Sequence, residues 1–196
     1  MGLEELDFFL STGSEMSSSP LDTHLQDLAR LDFLTYQHSV AVAEAMREFA
    51  LKLGSDEESA LEAELLGAIH DLAKLKVDPG LFKRLQAGEL PTREDRDALN
   101  QPPQILLDFL GEDLMNENVV EAVKAMGARF DGSGSPNLMG EAIPQLSRML
   151  LICDISDMLG RQRPGRQAMG EGQIQTLLER QSGKLFDPVL IEVFQS

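Results

Sequence analysis

The chain has 196 residues, 42% hydrophobic and 26% charged, enough for one well-buried domain. A formal net charge of -16 repels a phosphate backbone, which argues against DNA or RNA binding while leaving room for a small phosphate ligand. One cysteine, Cys153, excludes an internal disulfide and a cysteine-based zinc cluster; its apolar setting in "RMLLICDISDML" predicts a buried, inert thiol.

The first residues, "MGLEELDFFL", are acidic and lack the basic start and long apolar stretch of a secretory signal. No apolar run nears the roughly 20 residues that span a bilayer, so no membrane association and a cytoplasmic location are expected. "STGSEMSSSP" is a small-residue spacer. Residues 1–20 therefore read as a flexible tail, whose interleaved acidic and apolar "LEELDFFL" suits docking to a protein signalling partner. Residues 21–196 read as one domain.

That domain is helical almost throughout. "LDTHLQDLARL" and "YQHSVAVAEAMREFALKLG" place apolar residues three and four apart, the second closing on Gly54. "SDEESALEAELLGAIHDLAKL" opens with the capping-box pair Ser55 and Glu58. "TREDRDAL" starts another helix at Thr92, followed by "PPQILLDFL", "NENVVEAVKAMGARF" and "IPQLSRMLLICDISDMLGR". A last amphipathic helix, "EGQIQTLLERQS", leads to "GKLFDPVLIEVFQ". Period-two alternation and hairpin punctuation are missing, so the fold class is all-α, a helical bundle.

Three histidines are present: His24, His38 and His70. His24 reads as a partly exposed helix residue. His38 stands in one amphipathic helix, and His70 with Asp71 flanks the apolar stripe of Leu65, Ile69 and Leu72 in another. Asp154 interrupts an apolar run, where a carboxylate is costly unless paired or metal-bound. Two imidazoles and two carboxylates on three helices make a divalent-metal site, with nitrogen and oxygen ligands suited to Mn, Fe or Zn.

A lone His, a His-Asp pair and a distant Asp, all on helices, resemble the metal-ligand signature of the HD phosphohydrolase superfamily. "HDLAKLKVDPGLFKR", "ELPTREDRDAL", "DGSGSPNLMGEAIPQLSRMLLICDISDMLGRQRPGR" and "GKLFDP" are similar to its HD-GYP branch, associated with hydrolysis of cyclic di-GMP. The resemblance implies an HD-domain helical bundle with HD-GYP-like C-terminal helices. It also implies one divalent metal on His38, His70, Asp71 and Asp154, and a cyclic dinucleotide or other phosphate ligand. Lys74 matches a lysine near the substrate phosphate, giving Lys74 and Asp71 as catalytic residues; a solvated helix lysine is an equal reading of Lys74. Arg163 stands where the family has Arg-Pro-Tyr and reads either as a phosphate ligand or as surface charge. Ser135, at the position of the GYP tyrosine, completes the substrate-binding set of Lys74, Arg163 and Ser135.

The sequence departs from the family at several places. A further ligand His is replaced at Pro102, and a His-His pair at Met126 and Gly127; Leu34 replaces an upstream acid, Ala73 a glycine, and Gly165 the tyrosine after Arg-Pro. Arg148 and Asp157 are expected to form structural contacts along their helix. Two functions follow. One is a degenerate signalling domain with weak or no cyclic di-GMP phosphodiesterase activity, binding a nucleotide or protein partner. The other is a single-metal phosphohydrolase acting on a phosphodiester or phosphomonoester.

Overall fold

Helix starts are fixed by short polar side chains that satisfy otherwise unpaired N–H groups. The structure, a computed structural model, describes residues 19–101, 103–111, 115–163 and 166–196. The Ser19 hydroxyl accepts from the Asp22 N–H and the Asp22 carboxylate accepts from the Ser19 N–H, launching α1 (Pro20–Leu31). Asp32 caps α2 (Phe33–Lys52) through Thr35. Helix α3 (Glu57–Ile69) is capped by Asp56, which accepts from the Ser59 N–H at 2.9 Å, rather than by the expected Ser55–Glu58 box. An ionised carboxylate one residue closer to the helix is the stronger acceptor.

Then follow α4 (Pro79–Gln86), α5 (Arg93–Leu99), α6 (Pro103–Leu110), α7 (Glu117–Lys124), α8 (Gln145–Gly160), α9 (Glu171–Arg180) and α10 (Pro188–Gln195). The predicted Thr92 start holds, with a capping box to Asp95. Helix α10, begun by Asp187 and Pro188, follows the expected last amphipathic helix. The described residues contain no strand, only isolated bridges at Arg163–Arg166 and Ser182–Phe186. The all-α expectation is met. The expected tail falls largely on residues 1–18, outside the described residues, as do Pro102 and Gly165. Among the described residues no helix is long and apolar enough to cross a membrane.

One apolar core joins most helices: Val42, Met46 and Phe49 of α2, Leu66 and Ile69 of α3, Leu106 of α6, Val119 and Val123 of α7, and Met149 and Ile152 of α8. Each such side chain contributes about 1.5–3 kcal/mol when fully buried. The predicted burial of Cys153 holds: it is 1% exposed, and burial together with Asp154 pushes its thiol pKa up. Helices α2 and α3 approach closely at Gly67, where a Cβ would meet the Ala43 Cα at 2.6 Å and its nitrogen at 2.8 Å. That contact lies one turn before His70.

Candidate metal centre

Helix α3 ends at Ile69. His70 still closes a backbone bond to Leu66, but Asp71 leaves the α-helical line and Leu72–Lys76 tighten into a 3-10 turn. The apolar spacing of "SDEESALEAELLGAIHDLAKL" predicts one helix through this stretch. In a continuous α-helix, neighbouring side chains diverge by about 100°. Here His70 Nε2 and Asp71 Oδ2 lie 3.7 Å apart. Residues three apart eclipse in a 3-10 turn, so Lys74 folds back onto Asp71, with Nζ 2.5 Å from Oδ2.

His38 of α2 and Asp154 of α8 complete the cluster. One ligand atom each from His38, His70 and Asp154 lies within 4.8 Å of the others. His38 Nε2 is 3.1 Å from Asp154 Oδ1 and 3.9 Å from Asp71 Oδ2. Asp71 therefore borders the triad, with one oxygen engaged by Lys74. The His70 ring donates through Nδ1 to the Gly67 carbonyl at 2.6 Å, which leaves Nε2 as the lone-pair atom. That Nε2 is buried without a hydrogen-bond partner among the described residues. An orphaned imidazole nitrogen facing a second imidazole and a carboxylate fits a divalent cation, and this donor set matches Mn, Fe or Zn.

Burial opposes a charge on His38, but hydrogen bonds to Asp154 and Asp157 and the field of Asp71 outweigh it and lift the ring to about 9. A cation at Nε2 therefore has to displace a proton. Burial likewise raises Asp71, yet Lys74, His70 and His38 more than reverse it and hold the carboxyl well below its usual range.

A cavity of about 490 Å³ opens beside the triad. Its polar lining residues include His70, Asp71, Lys74, Asn100, Ser135 and Asp154; its apolar ones include Leu99, Leu106, Met126 and Leu150. Ser135 thus reaches the cavity, whereas Arg163 is not among its lining residues and pairs its backbone with Arg166. Met126 and Gly127, where the resemblance placed a His-His pair, also line the space. A Cβ at Gly127 would fall on the Ser135 carbonyl oxygen, and the Ser135 N–H donates to the Gly127 carbonyl at 3.0 Å. The loop backbone occupies the path a side chain at 127 would take.

The sequence model of the HD domain family matches residues 23–190. The chain belongs to this family. Within it, the HD domain is 32% identical over 187 residues to the cyclic di-GMP phosphodiesterase PA4108 of Pseudomonas aeruginosa, covering 92% of this chain and 44% of that protein. It is 31% identical over 146 residues to the cyclic di-GMP phosphodiesterase response regulator RpfG of Xanthomonas campestris, covering 73% and 38%. The chain thus spans less than half the length of these relatives. Among solved structures, a cyclic GMP-AMP specific phosphodiesterase of Vibrio cholerae superposes with a TM-score of 0.66 at 18% identity, covering 93% of this chain and 49% of that one. The HD domain of Listeria monocytogenes PgpH, in complex with cyclic di-AMP, gives 0.59 at 14% identity, covering 88% and 92%. These likenesses bear out the expected superfamily and helical fold.

Two residues of this HD domain reach further than a contact along their own helix. Asp157 makes the expected contact along its helix, to Arg161, and its Oδ2 also meets His38 Nδ1 at 2.6 Å, across to α2. Arg148 reaches the Ile143 carbonyl and the Asp187 carboxylate at the head of α10. Asp157 follows Asp154 by three residues and so shares its helix face, a spacing that could have flagged it.

Proposed function

We propose that this HD domain carries one divalent metal on His38, His70 and Asp154, with Asp71 alongside, and binds a phosphate-bearing ligand of the cyclic dinucleotide class with weak or no turnover of cyclic di-GMP. The convergence of His38, His70 and Asp154 around the unpartnered His70 Nε2 carries this reading. Homology to cyclic di-GMP and cyclic GMP-AMP phosphodiesterases supports the ligand class. Slow turnover rests on the cavity lining at positions 126 and 127, where Met126 offers a thioether and Gly127 nothing, in place of two further imidazoles.

A divalent ion bound here would polarise a phosphoryl oxygen and make bound water more acidic. The chain's own contributions are electrostatic and steric. Lys74 brings a positive charge to the cavity and holds Asp71 ionised. Ser135 offers a hydroxyl from the glycine-rich loop, and Leu99, Leu106 and Met126 give an apolar wall for a base. Arg163 is proposed as a phosphate contact only for a ligand that extends beyond the lined cavity. Capture of a protein signalling partner remains assigned to the N-terminal segment.

A second reading, a single-metal phosphohydrolase acting on a smaller phosphodiester or phosphomonoester, is favoured by the intact Lys74–Asp71 pair beside the triad. One experiment separates them. Protein purified without chelator is assayed for metal content, for cyclic di-GMP binding by calorimetry, and for hydrolysis of cyclic di-GMP and a generic aryl phosphodiester. Metal with binding and little cyclic di-GMP hydrolysis supports the first reading. Metal-dependent hydrolysis of the small ester, lost in His70→Ala, supports the second. Metal-free protein with no affinity for the nucleotide overturns both.

A further inference from the structure

We infer that Asp157 and Arg161 are positioning residues that set the orientation and basicity of His38 as a metal ligand, an inference that rests on the metal reading above. The ordinary account of Asp157 and Arg161 is an i,i+4 helix ion pair, worth only about 0.3–0.5 kcal/mol. Three observations set this pair apart. Asp157 Oδ2 accepts from the Nδ1–H of His38 at 2.6 Å, and the His38 side chain is only 4% exposed. Arg161 grips both carboxylate oxygens in a fork, Nε toward Oδ2 and Nη2 to Oδ1 at 2.8 Å. The same Nη2 donates to the carbonyl of Gln37 at 3.2 Å, the residue just before His38. Arg161 thus ties the end of α8 to the backbone that carries the ligand.

The chemistry follows from the two nitrogens of one ring. With Nδ1–H given to Asp157, Nε2 faces His70 and Asp154 and is the nitrogen a metal would take once its proton is displaced. A carboxylate behind a metal-bound imidazole also raises its donor strength, and losing such a partner typically costs about 10–100-fold in metal affinity. Both Asp157 oxygens are fixed by a planar guanidinium, so the carboxylate cannot rotate away from Nδ1. Lysine, a point charge on a flexible stem, would not reproduce the fork.

The test uses the full chain, stripped with chelator and titrated with Co2+, following visible absorption for affinity and ligand field. Asp157→Ala should weaken Co2+ about 10–100-fold. Asp157→Asn keeps an acceptor for Nδ1–H but loses the charge, and should fall between Asp157→Ala and the parent. Arg161→Ala should weaken Co2+ several-fold, with Arg161→Lys restoring only part. In Zn2+-loaded protein, where three histidines contribute imidazole signals, the hydrogen-bonded Nδ1–H of His38 should persist in Asp157→Asn and exchange away in Asp157→Ala. The melting temperature of each metal-free variant separates positioning from folding, and Arg161→Ala and Asp157→Asn carry the test if Asp157→Ala does not fold. Parent-like Co2+ affinity, within twofold, in both Asp157→Asn and Arg161→Ala overturns the inference. A parent that binds no Co2+ overturns the metal reading itself, so the two failures are distinguishable.

Discussion

Gly67 of α3 and Ala43 of α2 stand backbone to backbone between His38 and His70, since a Cβ at position 67 would lie 2.6 Å from the Ala43 Cα. The Gly67 carbonyl also accepts the Nδ1–H of His70. One residue therefore sets both the spacing of α2 and α3 and the tautomer of a metal ligand. Gly67→Ala poses a contest of signs: alanine is favoured in helix interiors by about 1 kcal/mol, while forcing backbone apart in a packed core typically costs about 1–3 kcal/mol. The obstacle is backbone rather than a flexible side-chain tip, so the clash should win. Thermal unfolding should show a lower Tm, by about 2–4 °C per kcal/mol for a chain of this size, and Co2+ affinity should fall with it. A raised Tm would mean that the helices are free to separate.

Metal removal should be visible as stability. A ligand at one hundred times its Kd stabilises the folded state by about 2.7 kcal/mol. Scans with chelator and with excess Mn2+ should therefore differ by several degrees for the parent. His70→Ala removes the buried Nε2 that has no hydrogen-bond partner among the described residues, so its two scans should coincide. A persistent metal-induced shift in that variant would move the site elsewhere.

The Gly127 position argues against simple restoration of a multi-metal site. Ser135 sits on Gly127 through a carbonyl contact and a backbone hydrogen bond, and Gly134 packs with equal closeness on Arg129, where a Cβ would lie 2.5 Å from the nitrogen. The double variant Met126→His, Gly127→His should melt lower and gain no cyclic di-GMP hydrolysis over the parent. Product formation measured by chromatography decides it; a tenfold gain would show that the loop yields and that the missing ligands alone limit turnover.

How much of this was legible in the chain follows from where each signal resides. Helices α2, α3 and α8 announce themselves by apolar spacing, and His38, His70 and Asp154 stand out as ligand-type residues within those patterns. The break after Ile69 does not: "AIHDLAKLK" contains no glycine or proline, and its 3-10 tightening sets Asp71 against Lys74 three residues on and 3.9 Å from His38 of α2. Asp157 was read as local because its partner, His38, is 119 residues away. Periodicity reports which face a residue occupies, not which residue meets it there. The Ser135–Gly127 closure is equally silent, being a backbone approach that Gly127 permits without specifying.

The cavity wall formed by Leu99 and Asn100 hangs on α5, whose start depends on one ionised carboxylate. Asp95 accepts from Arg84 at 2.6 Å and from the Thr92 N–H at 2.9 Å. The Arg84 hydrogen bond, then that of Thr92, pulls its pKa down from 3.8 to about 2. A carboxyl depressed by folding contributes stability that is fully present above its unfolded pKa and is lost as pH falls through the folded value. The contribution should therefore be flat above about pH 5 and disappear between roughly pH 4 and 2. Asp95→Asn keeps an acceptor for the Thr92 N–H but never carries the charge. Its Tm should lie below the parent at neutral pH, and the gap should close as acid protonates Asp95 in the parent. A gap that stayed constant down to about pH 2 would assign the effect to shape rather than charge, because a protonated Asp95 and an asparagine are then nearly equivalent partners for Arg84.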